Sequence, residues 1–403
     1  MTSESRVSSA FAPDPGRKLG DTEGGQASDF DELSRVADVA GHLALRGGAS
    51  ILFPSFLVGT LKAFGPLLAP RLARQFLDTQ GKMREVFLPF FYQWLDEHPR
   101  AQDQALRLIR VQMERERLPA PRVFHAPYLG RRLTPLRYWR NLADPQYLRQ
   151  HVTTLQRECR FLGRLRREFD IPQQILYVIH LGLRGRQRAA DALRTSIAAL
   201  QPSLDAAREA GVILAIENIG DRLGDTDHVG GTLNEVEDAL GALGATEPDA
   251  PVGWTFDLSH ALLTYRGNTD AVKKAASSLL PSLVHLHVNA PHLNVRDHGW
   301  GDRHEAPTEG DPHIWDLLRL ACTSSRFRQF RTMTYEVHWA VTPLRSLLGG
   351  SSLPRVMHGL DLVREVASRA LGGLDERESL PYTADASLPE TIGSGSPEPI
   401  LGV

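Results

Sequence analysis

The feature that most constrains this chain is a recurring unit: a short apolar run that ends in a polar residue, then a loop, then an amphipathic helix. The runs are Val123-Phe-His125, Ile175-Leu-Tyr-Val-Ile-His180, Val212-Ile-Leu-Ala-Ile-Glu217, Val252-Gly-Trp-Thr-Phe-Asp257, Leu283-Val-His-Leu-His287 and Thr332-Met-Thr-Tyr-Glu336. Their last members stand 55, 37, 40, 30 and 49 residues apart. Parallel strands need a crossover of a dozen or more residues, usually a helix, so these intervals point to strand-helix units and a parallel sheet. The intervening segments carry helix starts. Asp144-Pro145 and Asp311-Pro312 place an N-cap before a proline, and Thr232 with Glu235 makes a capping box for a helix through Leu243. Leu148, Val152, Leu155, Cys159 and Leu162 form one apolar stripe.

Two more strands upstream would complete an eight-unit barrel. Arg84–Phe90 is a fair second strand, followed by a helix from about Ala101 to Glu116. The first lies either in Val36–His42 or in Ser50–Phe53, and either choice implies an insertion before Lys82. The preferred architecture is therefore an α/β, (β/α)8 barrel over residues 31–372, with a doubly wound open sheet as the alternative. Residues 1–30 and 373–403, rich in Ser, Gly, Asp and Pro, read as flexible tails.

Side chains alternate along a strand, and each run's terminal polar residue falls at the carboxyl end, the catalytic face of such barrels. Separate strands thus deliver His125, His180, Glu217, Asp257, His287 and Glu336 to one mouth. The loops add His260 and the pair Asp302 and His304. Four carboxylates and five imidazoles crowded at a partly dry mouth are costly unless a cation joins them. Carboxylate oxygen and imidazole nitrogen suit a divalent metal, zinc first, with manganese, iron or cobalt as alternatives. The two cysteines, Cys159 and Cys322, lie far apart and make neither a disulfide framework nor a zinc motif.

A formal net charge of −2 excludes a global field drawing the chain to nucleic acid or anionic lipid. Locally the balance differs, with 16 Arg against 7 acids between Arg100 and Asp170. Phosphate binding is one reading of that excess. The other is a solvated helix surface in an arginine-biased composition, with 41 Arg to 5 Lys. The longest apolar stretch, Ile51–Leu61, is too short to span a bilayer, and no secretory signal is apparent, so no membrane partner and a cytoplasmic location are expected.

The motifs His125-Ala-Pro-Tyr-Leu129, His180-Leu-Gly182, Ala215-Ile-Glu217-Asn218, Asp257-Leu-Ser-His260-Ala, His287-Val-Asn289, Asp302-Arg303-His304, Glu309-Gly310 and Glu336 resemble those of the xylose isomerase-like TIM-barrel superfamily. Within it they are most similar to endonuclease IV, the apurinic/apyrimidinic endonuclease. The resemblance covers roughly residues 120 to 340. It departs at Ala290, where that family has aspartate, and at Leu181, where it has proline.

The resemblance implies two or three ions. One would sit on His125, His180 and Glu217, a second on Glu217, Asp257, His287 and Glu336, and a third on His260, Asp302 and His304. It further implies phosphodiester hydrolysis on DNA or another phosphate-bearing substrate, with Glu217 and Glu336 catalytic and Arg303 as a bidentate donor to a phosphate oxygen. The alternative is a sugar isomerase or epimerase with one divalent ion on Glu217, Asp257, His287 and Glu336, the two glutamates shuttling a proton. That chemistry does not need His125, Asp302 and His304. A metal-binding protein without hydrolysis is a third class. His285, one inward position deeper than His287, is expected to be structural or to support a ligand, and His292 and His298 are assigned to the loop.

Overall fold

The computed structural model describes residues 40–44, 50–54, 71, 84–87, 101–116, 120–126, 141–220, 227–247, 249–291, 302–337 and 351–371. The expected tails over 1–30 and 373–403 and most of the expected insertion before Lys82 lie outside them, as do His292 and His298.

Six parallel strands form the centre of an α/β fold: β4 (Val123–His125), β5 (Ile175–Ile179), β6 (Val212–Glu217), β7 (Val252–Asp257), β8 (Leu283–Val288) and β9 (Thr332–Tyr335). Upstream stand β1 (Ala40–Ala44), β2 (Ser50–Pro54) and β3 (Arg84–Phe87). Strand β3 pairs in parallel with β4, and β2 pairs in parallel with both β3 and β9. The ambiguity over the first strand is resolved by direction. Ser50–Pro54 joins the parallel ladder, whereas Ala40–Ala44 runs antiparallel to it as the other arm of a hairpin. The second strand ends at Phe87, three residues short of the expected end.

Helices fill the crossovers. These are α1 (Ala101–Glu116), α2 (Leu148–Glu168), α3 (Ala189–Leu200), α4 (Leu204–Ala210), α5 (Leu233–Ala242), α6 (Leu258–Thr264), α7 (Thr269–Ala276), α8 (Pro312–Cys322), α9 (Ser325–Phe330) and, after β9, α10 (Leu353–Ala370). Their starts follow local chemistry. Thr232 and Glu235 form the reciprocal capping box of α5, a contribution of about 1 kcal/mol. Asp144 caps a single 3-10 turn that leads into α2. Asp311 departs from expectation, because its carboxylate accepts from the Thr308 backbone N–H and hydroxyl instead of capping α8.

The strand period of two divides the core. Val123, Leu176, Val178, Ile213, Ala215 and Val284 pack together as one cluster, while Phe124, Tyr177, Leu214, Trp254, Phe256 and Leu286 join the larger cluster that includes the helices. Glu217 therefore ends the row that begins with Ile213 and Ala215, and His125 the row that begins with Val123. Strand β8 breaks the period. Trp254 faces Leu283 but Thr255 faces His285, so Val284 has no partner in β7. That irregularity places Val284 in the inner cluster while His285 and His287 keep their register opposite Thr255 and Asp257. Among the described residues no helix is long and apolar enough to cross a membrane.

Candidate metal centre

Glu217 is the hub. Its Oε2 lies 3.1 Å from His125 Nε2 and 2.8 Å from His180 Nε2. Its Oε1 lies 3.2 Å from His287 Nδ1 and 3.5 Å from His260 Nδ1. The Nδ1 of His287 also faces Glu336 Oε2 at 3.0 Å and Asp257 Oδ2 at 3.8 Å. A third group hangs on Asp302, with His304 Nε2 3.2 Å from Oδ1 and His260 Nε2 3.5 Å from Oδ2. All nine residues expected as ligands are thus brought together, in the sets His125–His180–Glu217, Glu217–Asp257–His287–Glu336 and His260–Asp302–His304, each with donor atoms within 4.8 Å of one another. Arg303 lies half-buried between Asp302 and His304 in the same segment.

The ring orientations test whether a cation fits. A backbone carbonyl can only accept, so the nitrogen facing it carries the proton. His125 donates from Nδ1 to Ala126 O at 2.6 Å, His260 from Nδ1 to Asn218 O at 3.0 Å, and His304 from Nδ1 to Glu336 O at 3.2 Å. Each neutral ring would then aim an Nε2 lone pair at a carboxylate: His125 at Glu217, His260 and His304 at Asp302. Lone pair against anion is repulsive, so something positive belongs between them, either a proton or a metal ion. Among the described residues Glu336 Oε2 and Asp302 Oδ1 are moreover buried without a hydrogen bond of acceptable geometry. Oxygen and imidazole donors without cysteine fit a divalent metal of the zinc, manganese, iron or cobalt kind. Both cysteines are buried and belong to none of these groups.

In the absence of an ion, protons take that place. Burial opposes charging His304, but Asp302 and Glu336 overcome it and raise its pKa to about 10. Burial likewise opposes charge on His260 and is outweighed by Asp257 and Asp302. Burial would raise Asp302, yet the two imidazoles hold it well below the usual carboxylate range. At His180 burial wins and lowers the pKa despite Glu217 beside it. Asp257 is pushed up by burial, only partly offset by His260.

Backbone and amide contacts hold these side chains in place. Asn218 Oδ1 accepts from the Asp257 N–H at 3.0 Å and from the Trp254 indole at 3.2 Å, while its Nδ2 donates to Asp257 O at 2.9 Å, tying the ends of β6 and β7 together. The segment carrying Asp302 and His304 is pinned where Ala290 and Glu305 exchange hydrogen bonds of 2.8 and 3.1 Å. Arg355 of α10 grips the same segment through Glu305 at 3.2 Å and Ala306 O at 3.1 Å. His304 adopts φ 46°, a left-handed backbone that non-glycine residues rarely hold except where surroundings impose it.

Two glycines allow close approach. A Cβ on Gly182, whose φ is 115°, would lie 2.2 Å from Asn141 Oδ1, the atom that accepts from Leu183 N and fixes the loop after His180. A Cβ on Gly220 would lie 2.8 Å from His260 Cδ2. Gly220→Ala is accordingly expected to displace His260 and cost about 1–3 kcal/mol of stability. Elemental analysis should show less metal at the His260–Asp302–His304 group, and a full complement with an unchanged melting temperature would contradict it.

Glu85 was not anticipated. It is buried on β3, its Oε2 3.4 Å from His287 Nε2 and hydrogen-bonded by the Thr334 hydroxyl. A glutamate between Arg84 and the apolar residues Val86 and Phe87 is the available signal. His285, expected to be structural or supporting, has its two ring nitrogens 2.9 Å from Thr332 Oγ1 and 3.1 Å from Thr334 Oγ1.

A parallel strand-helix fold with acids and imidazoles gathered at the carboxyl ends of its strands defines an enzyme scaffold of the barrel class with groups able to hold divalent metal. The chain belongs to the xylose isomerase-like TIM barrel family, whose model matches residues 85–340. Members of that family are enzymes. No curated protein matches the chain. Among solved structures it is similar to a xylose isomerase domain protein from Planctomyces limnophilus (14% identity, TM-score 0.49, covering 74% of this chain and 92% of that one). It is also similar to a 3-keto-D-glucoside 4-epimerase from E. coli (12%, 0.45, 78% and 95%) and to a family 2 AP endonuclease from Brucella melitensis (13%, 0.39, 59% and 77%).

Proposed function

We propose that the chain is a metal-dependent phosphodiester hydrolase of the endonuclease IV type, with a multinuclear centre at the mouth of an eight-stranded barrel. The pairing of β2 with both β3 and β9 supports the closure of that barrel. The observation that carries the hydrolase reading is the group His260–Asp302–His304, held beside the hub by His260. A single-ion isomerase has no use for it. His125, His180 and Glu217 would hold one ion, Glu217, Asp257, His287 and Glu336 a second, and His260, Asp302 and His304 a third. When bound, such ions lower the pKa of water and clamp the attacking and leaving oxygens of a phosphodiester.

The protein's own groups do the rest. Glu217 spans two of the sets, and Glu336 faces His287 on one side while its carbonyl orients His304 on the other. Arg303 would donate to a phosphate oxygen from between two ligands. Arg149, Arg160 and Arg167 lie exposed on α2 and favour a polyanion, although Arg164 and Arg166 of the same helix are engaged by Asp103, Glu168 and backbone carbonyls.

One observation favours a second reading. Glu217, Asp257, His287 and Glu336 already form a complete set of four donors, which suffices for a sugar isomerase or epimerase with one ion. The experiment is to incubate the zinc- or manganese-loaded chain with a duplex carrying an abasic site, beside a ketose epimerisation assay. Strand nicking that disappears in Asp302→Ala is expected. Epimerisation without nicking would replace the hydrolase with the isomerase.

A further inference from the structure

Beneath the mouth lies a buried polar chain that the proposed reaction does not use: Thr332, His285, Thr334 and Glu85, all shielded from solvent. Its hydrogen-bond directions follow from donor arithmetic. The Thr334 hydroxyl has one proton and donates it to Glu85 Oε2, since a carboxylate only accepts. His285 Nε2, 3.1 Å from the same hydroxyl oxygen, must then carry a proton. A neutral ring is left with a bare Nδ1, which accepts from the Thr332 hydroxyl at 2.9 Å. Both nitrogens of His285 are committed, so it is not a metal donor, even though it lies near Glu85 and His287. Among the described residues Glu85 Oε1 has no hydrogen-bond partner, and neither has His287 Nε2, whose facing carboxylate oxygen is Glu85 Oε2 at 3.4 Å.

His287 needs a defined tautomer. Its Nδ1 faces Glu217, Asp257 and Glu336, so serving as a donor to an ion there requires the proton on Nε2. We propose that Glu85 is a positioning residue of the metal centre, its carboxylate fixing the Nε2–H tautomer of His287 while Thr334 and His285 hold that carboxylate in place. The inference rests on the metal reading above and deepens it. Outer carboxylates of this kind orient a ligand imidazole and raise its basicity, and their loss typically weakens metal binding 10- to 100-fold.

The test is a competition titration of Zn2+ against a chromophoric chelator, with thermal melts alongside, on the full chain and the variants Glu85→Gln, Thr334→Val and Thr334→Ser. Zinc affinity is expected to fall about 10- to 100-fold in Glu85→Gln and measurably in Thr334→Val, and to return with Thr334→Ser, which keeps the hydroxyl. Long-range 1H–15N spectra of the zinc-loaded chain should show His287 protonated at Nε2, with that N–H signal shifted in Glu85→Gln, a change that a packing role would not produce. Full zinc affinity in Glu85→Gln would overturn the role of Glu85 and leave the metal centre standing, whereas a His287 protonated at Nδ1 would overturn both that role and the place of His287 among the ligands. A wild-type chain that binds no zinc would overturn both. Should Glu85→Gln fail to fold, the Thr334→Val and Thr334→Ser pair decides, equal weakening in both counting against the relay.

Discussion

Glu217→Gln is expected to strip the centre of the ions on both sets that share this residue and to abolish turnover. Its two carboxylate oxygens lie within 3.5 Å of four imidazoles, those of His125, His180, His260 and His287. The amide removes the negative charge and points an N–H group at rings that themselves present nitrogen. Losing one partner of a buried charged pair costs about 3–5 kcal/mol, so metal affinity should fall by more than the roughly 10- to 100-fold that follows loss of an outer partner. Elemental analysis and a chelator titration of the purified variant measure this directly. Wild-type metal content in Glu217→Gln would remove Glu217 from the centre.

The second large effect is proton release on loading. In the metal-free chain His304 titrates at about 10 and His260 well above its ordinary value, while Asp302 stays ionised, so near neutral pH imidazolium protons occupy the third group. An ion must expel them. Calorimetry in buffers of different ionisation enthalpy should therefore record at least one proton released per chain at pH 7, and apparent affinity should rise about tenfold per pH unit for each proton displaced. Stability of the metal-free fold runs the other way. His304 has a folded pKa above its ordinary 6.5, so its contribution is full below pH 6.5 and is lost as pH climbs towards about 10. Chelated protein should melt progressively lower between pH 7 and 10, and metal-loaded protein should not. Loading without proton release would contradict the ligand roles of His260 and His304.

Much of this geometry is legible in the chain itself. A polar residue closes each of the six apolar runs and lands at the carboxyl end whatever the details of the helices. The parts that escape such a reading have physical causes. Strand β3 is four residues long, too short to show on which face Glu85 lies. The irregularity at Val284 is a backbone event with no side-chain signature, and it alone accounts for an apolar residue in the inner cluster beside His285. Asp302 and His304 stand in a segment whose position depends on the Ala290–Glu305 bridge and on Arg355, contacts between residues far apart in the chain. The resemblance implies their grouping with His260, and those long-range contacts are what bring the three side chains together. The first strand is ambiguous in the sequence because strands meet both candidates, Ala40–Ala44 overlapping the first over 40–42 and Ser50–Pro54 covering the second, and direction, not composition, distinguishes them.

The central claim is that this mouth holds more than one metal ion, and a metal count on two proteins tests it most directly. Purified wild-type chain and His304→Ala, each reconstituted with zinc and freed of excess, would be analysed for zinc per chain by mass spectrometry. The geometry predicts two or three equivalents in the wild type and at least one fewer in His304→Ala, with the remainder still bound. One equivalent in the wild type, unchanged by His304→Ala, would contradict the multinuclear centre and return the chain to the single-ion isomerases.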